Sequence, residues 1–416
     1  MFRHALPTAT LWLLLSHSQV TAQSVSFDEA IGLSESAPLV EGEARALQSR
    51  HAGDARISDI TEPSRVYLMP GARVFSEEDR GFEGQVQIGQ SWNLAGLADS
   101  QRRSARMERD ARAAEGRFRA LSQRLIAARA WLSLREHEAQ LRALEETVAL
   151  ATRIQERTER GLRGGVSTQA DLAEARAYLA EANAARLMAQ GAIVDAQVAL
   201  GDAMGRAEVE TLSTTGALPQ PTLPSPAQIE HALRDAEGAP PVVAARLRAL
   251  ANDARDAELT ASRGPRIDAD VIAYRESPGG LLLFAQLGVQ FPLADLAARD
   301  RSTLREETTL LEAQAEQAVL DWQRQSHSVA HEVEHTRGVQ SLLEAELVPS
   351  FVALVDARER QLAAGETTVL ILLDATRRLV NARVELARAS TEKAWAEMRA
   401  WLLLSLPTDD EQRGAR

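Results

Sequence analysis

His331-Glu332-Val333-Glu334-His335 places two imidazoles one helical turn apart with a carboxylate between them. A His-Glu-x-x-His helix uses that spacing to hold zinc and to keep its glutamate as a general base. His327 extends the row to three histidines, and Glu344 or Glu346 could add an oxygen ligand. A zinc-dependent hydrolase acting through His331, Glu332 and His335 is therefore one reading. Against it, the motif lies inside a long helix-forming stretch, with no segment to enclose a cleft. His327, His331 and His335 are otherwise a solvated helix face or a non-catalytic metal contact. The chain has no cysteine, no nucleophile constellation and no glycine-rich phosphate loop. It reads as a non-enzyme with no cofactor.

A second set of ionisable groups recurs. Glu159-Arg160-x-Leu162-x-x-Gly165-x-Ser167-Thr168 returns as Glu359-Arg360-x-Leu362-x-x-Gly365-x-Thr367-Thr368. The match continues through Leu172, Ala175, Leu179 and Ala182, which pair with Leu372, Ala375, Leu379 and Ala382. Gln87-Ile88-Gly89-x-x-Trp92 likewise returns as Gln286-Leu287-Gly288-x-x-Phe291. Matches kept in order over this length make the chain one unit used twice. On this repeat Trp131 and Arg135 stand where the second copy has His331 and His335. Asp171, Glu174 and Asp374 lie just after the glycine turns, with Arg160, Arg360, Arg176, Arg377 and Arg378 as candidate partners.

The elements that must position these groups are long helices. No proline occurs between Pro70 and Pro219, and Ala98 to Leu162 is rich in Ala, Leu, Arg and Glu. Leu134, Leu141 and Val148 fall seven apart, with Leu144 and Ala151 beside them, which is a coiled-coil seam. Gly161, Gly164 and Gly165 end the first long helix, and Ser167 or Thr168 caps the next. Before each long helix lies a strand hairpin. Residues 82–92 alternate apolar and polar, and residues 65–75 can pair with them, although Pro70 and Gly71 interrupt that partner. Ile267 to Ala273 and Leu281 to Phe291 alternate in the second copy, joined by a turn at Glu276–Gly280. Strands of this length suit a tilted crossing of a bilayer, and a small hairpin packed on helices has the same pattern.

Met1 to Ala22 reads as a signal peptide: Arg3 and His4, an apolar Leu11–Leu15 core, then small residues before Gln23. The expected layout is a leader at 1–22, a first repeat at 23–217, a Pro-rich linker at 218–232, a second repeat at 233–407 and a polar tail at 408–416. A net charge of −12 argues against nucleic-acid binding. No later segment has 18 uninterrupted apolar residues, so any crossing of a membrane would be by strands. Four strands cannot close a barrel, so chains inserted in lipid must share one. Two copies give eight strands with little bore, and three give twelve.

The leader, the doubled layout and the Gly-x-Ser/Thr turns resemble the TolC-like outer-membrane efflux family across the mature chain. The most specific part is Val348-Pro349 with Glu359 to Thr368 and Leu372-Leu373-Asp374-Ala375. Gly165-Val166-Ser167-Thr168-Gln169-Ala170-Asp171-Leu172 is similar to its counterpart in the first copy. The resemblance implies a mainly α fold with a small β part. In that fold a trimeric, twelve-stranded outer-membrane barrel is continued by a periplasmic α-helical barrel. It implies passive conduction across the outer membrane, with a periplasmic adaptor protein and an inner-membrane pump as partners. It also implies a periplasmic gate at Asp171, Glu174, Asp374, Arg160 and Arg360, and adaptor docking at Gly165, Ser167, Gly365 and Thr367. Ile371 and Thr367 depart from residues that other members carry there. Asp171 and Asp374 can equally serve as first-turn helix acids, and the glycines as plain helix stops. The alternative architecture is a periplasmic coiled-coil adaptor or scaffold without a barrel. The cargo (drugs, metal ions or peptides) is not written in the residues.

Overall fold

A computed structural model describes residues 23–54, 64–74, 80–206, 211–275, 280–291 and 298–404. The expected leader at 1–22, the turn residues 276–279 and the tail at 408–416 lie outside them.

The two repeats share one element order. The first has α1 (Phe27–Glu35), α2 (Pro38–Asp54), β2 (Arg65–Val74), β3 (Arg80–Asn93), α3 (Leu97–Arg163) and α4 (Gln169–Ala203). The second has α5 (Pro226–Arg234), α6 (Pro240–Ala261), β5 (Arg266–Arg275), β6 (Leu281–Gln290), α7 (Ala298–Leu342), α8 (Val348–Ala364) and α9 (Val369–Leu404). Two further strands, β1 (Gln23–Ser26) and β4 (Leu212–Thr215), pair in parallel.

Helix α3 is 67 residues long, a rod of roughly 100 Å. Its counterpart, Ala298–Ala364, is also 67 residues but is not uniform. A π turn at Leu343–Leu347 separates α7 from α8. Pro349 follows directly; it has no N–H to give to the carbonyl four residues back, and the wider turn takes up that defect. By length and composition alone, a window of Ala298–Ala364 is apolar enough to cross a membrane. It is a small part of a much longer rod, and little of it is buried.

Strands β2-β3-β5-β6 form one antiparallel sheet, with β3 and β5 joining the repeats. Strand β2 runs straight through Pro70 and Gly71, against the expectation that they interrupt it. It is an edge strand, and proline is tolerated where one side of the ladder is unpaired. Register sorts the side chains into two faces. Val66, Leu68, Val86, Ile88, Ile267, Val271, Leu283, Leu287 and Val289 share one. Leu283 and Leu287 on it are 72% and 80% exposed. The opposite face carries a polar network. Arg65 donates to Asp268 at 3.0 Å and to Ser91 at 2.8 Å, Ser91 donates to Asp268, and Gln87 donates to Asp270 at 3.1 Å. Tyr274 donates to Glu83 at 3.0 Å. This face is mixed, since Tyr67, Met69, Ile272, Leu282 and Phe284 share it with the polar side chains. Gly89 leaves room there for the Asp270 carboxylate, which a Cβ would displace.

Midway along the rods, β1 and β4 are pinned to α3. Trp131 is fully buried; its Nε1 donates to the Val25 carbonyl at 2.9 Å and its ring meets Phe27 edge-on at 5.4 Å. Arg135 donates to the Gly216 carbonyl at 3.0 Å, and Glu138 accepts from the Thr214 N–H at 2.9 Å. The first repeat therefore closes on its own first residues. The expected linker is partly helical: Ser225 and Gln228 form a capping box and Pro226 starts α5. Proline at the first helical position costs nothing, because that N–H has no helical partner anyway.

Candidate functional site at the hairpin ends

Both helical hairpins end at the same level, opposite the sheet. In the first, Gly165 adopts φ +74°, and the N–H groups of Val166 and Ser167 return to the Gly161 carbonyl at 2.8 and 3.2 Å. In the second, Gly365 adopts φ +75° and the Glu366 N–H returns to the Gln361 carbonyl at 2.9 Å. Only glycine takes these angles without strain, and open space surrounds both. Gly161 has a packing role as well, since a Cβ there would run into the Ser167 side chain.

The two turns are finished differently. Thr168 caps α4: its hydroxyl accepts the Asp171 N–H at 3.1 Å, and Asp171 accepts the Thr168 N–H at 2.8 Å. Asp171 is thus held in a capping box and, among the described residues, pairs with no arginine. In the second turn the Thr367 hydroxyl is buried without a hydrogen-bond partner.

Behind the turns the hairpins pack together through the expected seam. Leu172, Ala175 and Ala182 of α4 meet Leu372, Leu373, Ala375 and Leu379 of α9, with Ala151 and Ile154 of α3 and Val355 of α8. Small residues on the seam let the backbones approach closely. Tyr178, which the seam pattern does not single out, is buried there too.

The charges sort as follows. Asp374 pairs with Arg378 at 2.9 Å one turn along α9, and Arg176 pairs with Glu159 at 3.1 Å across the first hairpin. Glu159 is held below the usual carboxylate range by hydrogen bonds from Gln155 and then Arg176. Arg377 reaches from α9 to Glu181 of α4 at 2.8 Å, with its guanidinium 5.3 Å above the Tyr178 ring. Burial pushes the Tyr178 hydroxyl up to about 12, with Arg377 opposing and Glu181 adding. Arg383–Glu146 at 2.8 Å and Arg129–Glu392 at 2.9 Å tie α9 to α3 farther along. Among the described residues Arg160, Arg360 and Glu174 have no ion-pair partner. Of the expected partners, then, only Arg378 meets one of the three acids; Arg176 and Arg377 meet Glu159 and Glu181 instead.

His331 and His335 are exposed, with near-parallel rings 6.2 Å apart, while Glu332 is turned to Arg399 at 3.0 Å. Among the described residues no three or more His, Asp and Glu side chains converge as metal ligands.

The sequence model of the outer membrane efflux protein family matches residues 48–206. Over those residues the chain is similar to that family. No curated protein matches it by sequence. The fold likeness to solved structures extends over both repeats. The outer membrane protein VceC of Vibrio cholerae aligns over 91% of this chain and 95% of its own, at 16% identity and TM-score 0.68. The CmeC outer membrane channel of Campylobacter jejuni aligns over 94% and 88%, at 11% identity and TM-score 0.70. CusC, described with transmembrane channel formation, aligns over 97% and 98%, at 15% identity and TM-score 0.68.

Proposed function

We propose that this protein is the outer-membrane channel of a tripartite efflux or type I secretion system, working as a homotrimer. The observation that carries the reading is the sheet. One face is apolar and exposed, the other carries a hydrogen-bonded polar network among some apolar side chains, and among the described residues neither edge, β2 or β6, has a further partner strand. Open edges are not tolerated in lipid, so β6 of one copy pairs with β2 of the next. Adjacent strands alternate in direction along β2-β3-β5-β6, so that joint is antiparallel, like β3–β5. Three copies make twelve strands, with the polar face lining the bore and the apolar face meeting lipid. The rods extend the tube into the periplasm. Leu187, Val194 and Val198 of α4 form an exposed apolar stripe at helical spacing, which suits a neighbouring copy. Cargo passes down its gradient, with energy from an inner-membrane pump reached through an adaptor protein at Gly165, Ser167, Gly365 and Thr367.

The absence of cysteine makes the joint directly testable. With Leu68→Cys and Leu287→Cys together, a short thiol-reactive cross-linker should yield covalent trimers from outer-membrane fractions. Monomers alone, with both cysteines reactive, would sink the shared barrel.

Asp171, Glu174, Asp374, Arg160 and Arg360 are proposed to gate the periplasmic end, together with the Arg377–Glu181 clamp over Tyr178. Three copies crowd the unpaired charges around one axis. The clamp bridges α9 to α4, so its loss frees the second hairpin to swing from the first. An exposed pair is worth up to about 1 kcal/mol, and a cation over a ring adds about as much. Arg377→Ala should therefore raise the open probability, and with it the mean conductance in planar bilayers, on the order of tenfold, at about 1.4 kcal/mol per decade in the opening equilibrium. Conductance unchanged in both Arg377→Ala and Asp374→Ala would remove the gate from these residues.

A further inference from the structure

We propose that His331 and His335 form a chelating site for a divalent transition-metal ion on the exposed face of α7. The two imidazoles stand one turn apart on an uninterrupted helix, so their backbone anchors are fixed relative to one another. Their rings face each other at 6.2 Å with planes 18° apart. Neither ring has a hydrogen-bond partner among the described residues, so both nitrogens of each are free to ligate. Metal–nitrogen bonds of about 2.0–2.1 Å need the rings to tilt toward a shared ion, a rotation that two exposed side chains make without repacking.

The surroundings decide what kind of site this is. Glu332, the residue that would be the base in a hydrolase, is committed to Arg399. Among the described residues no third protein ligand converges, so water or a donor from another molecule completes the shell. Such a site binds an ion without turning over substrate. Imidazole donors select copper, nickel and zinc over calcium or magnesium, with Cu²⁺ the tightest. The positions that the repeat equates in the first copy, Trp131 and Arg135, are both engaged in holding β1 and β4. The second copy asks no such service of His331 and His335. The site does not depend on the channel reading, because it lies within one chain and is measured without a pore.

The test is a Cu²⁺ titration of untagged, detergent-solubilised protein, followed by calorimetry and by nitrogen hyperfine structure in the electron paramagnetic resonance spectrum. The wild type should bind one Cu²⁺ per chain with two nitrogen ligands. His331→Ala/His335→Ala, and the polar pair His331→Gln/His335→Gln, should each weaken binding by roughly tenfold or more, because the second, intramolecular ligand is gone. His137→Ala/His231→Ala should leave binding unchanged. Wild-type affinity in the 331/335 variants, or its loss in His327→Ala alone, overturns the proposal.

Discussion

Leu287→Arg should abolish insertion of the protein into the outer membrane, whereas Gln286→Arg, its neighbour in sequence, should insert normally. The two side chains point to opposite faces of β6. Leu287 shares its face with Ala269, and Gln286 lies beside Asp270. An arginine on the lipid face near the middle of a barrel costs about 2–4 kcal/mol, and a trimer incurs that cost three times. On the polar face the same arginine meets Asp270, with water available in the bore. Heat-modifiable trimers on native gels of outer-membrane fractions measure the difference. Equal insertion of the two variants would mean that neither face meets lipid.

The second large effect is expected far from the membrane. Trp131→Ala should lower stability by about 3–5 kcal/mol, as truncation of a buried tryptophan does. The indole fills the centre of a cluster of Val25, Ala30, Leu132, Leu134, Leu200 and Leu212, and its N–H satisfies the Val25 carbonyl. Its removal leaves a cavity and frees β1 from α3. His331→Ala, at the position the repeat equates with it, should change stability by less than about 0.5 kcal/mol, since that side chain is exposed. Thermal unfolding of the detergent-solubilised protein, with limited proteolysis near residue 25, distinguishes the two. A small effect of Trp131→Ala would place the anchor of the first repeat elsewhere.

The parts of this fold that were legible in the residues are those with long periods. The proline-free run predicted Ala98–Leu162 as helix, and α3 spans Leu97–Arg163. Alternation predicted β5 and β6, and of the two caps the residues offer, Ser167 or Thr168, the fold uses Thr168. What escaped was short or non-local. Gln23–Ser26 and Leu212–Thr215 are four-residue strands with no period to read, and they pair across nearly the whole first repeat. Pro70 reads as a breaker until its strand is known to be an edge. The π turn before Pro349 needs the helix around it to be seen as a defect. At the hairpin ends the glycine turns were readable because only backbone geometry decides them. The partners of the charges were not: Arg377 and Glu181 are 196 residues apart, and only the packing of α9 on α4 brings them together. Tyr178 gave a faint signal, as an aromatic inside a seam otherwise built from alanine and leucine.

The unpaired edges of the four-stranded sheet have a genetic consequence. In the proposed trimer each subunit supplies one third of a closed wall, and no subunit can seal its own share. A chain that spoils its strands therefore disables the two sound chains it joins. Where a defective and an intact copy are expressed equally and mix at random, about one assembly in eight is wholly intact. Lesions in β2 or β6 should then be dominant in a merodiploid cell, although their effect on a single chain is purely local.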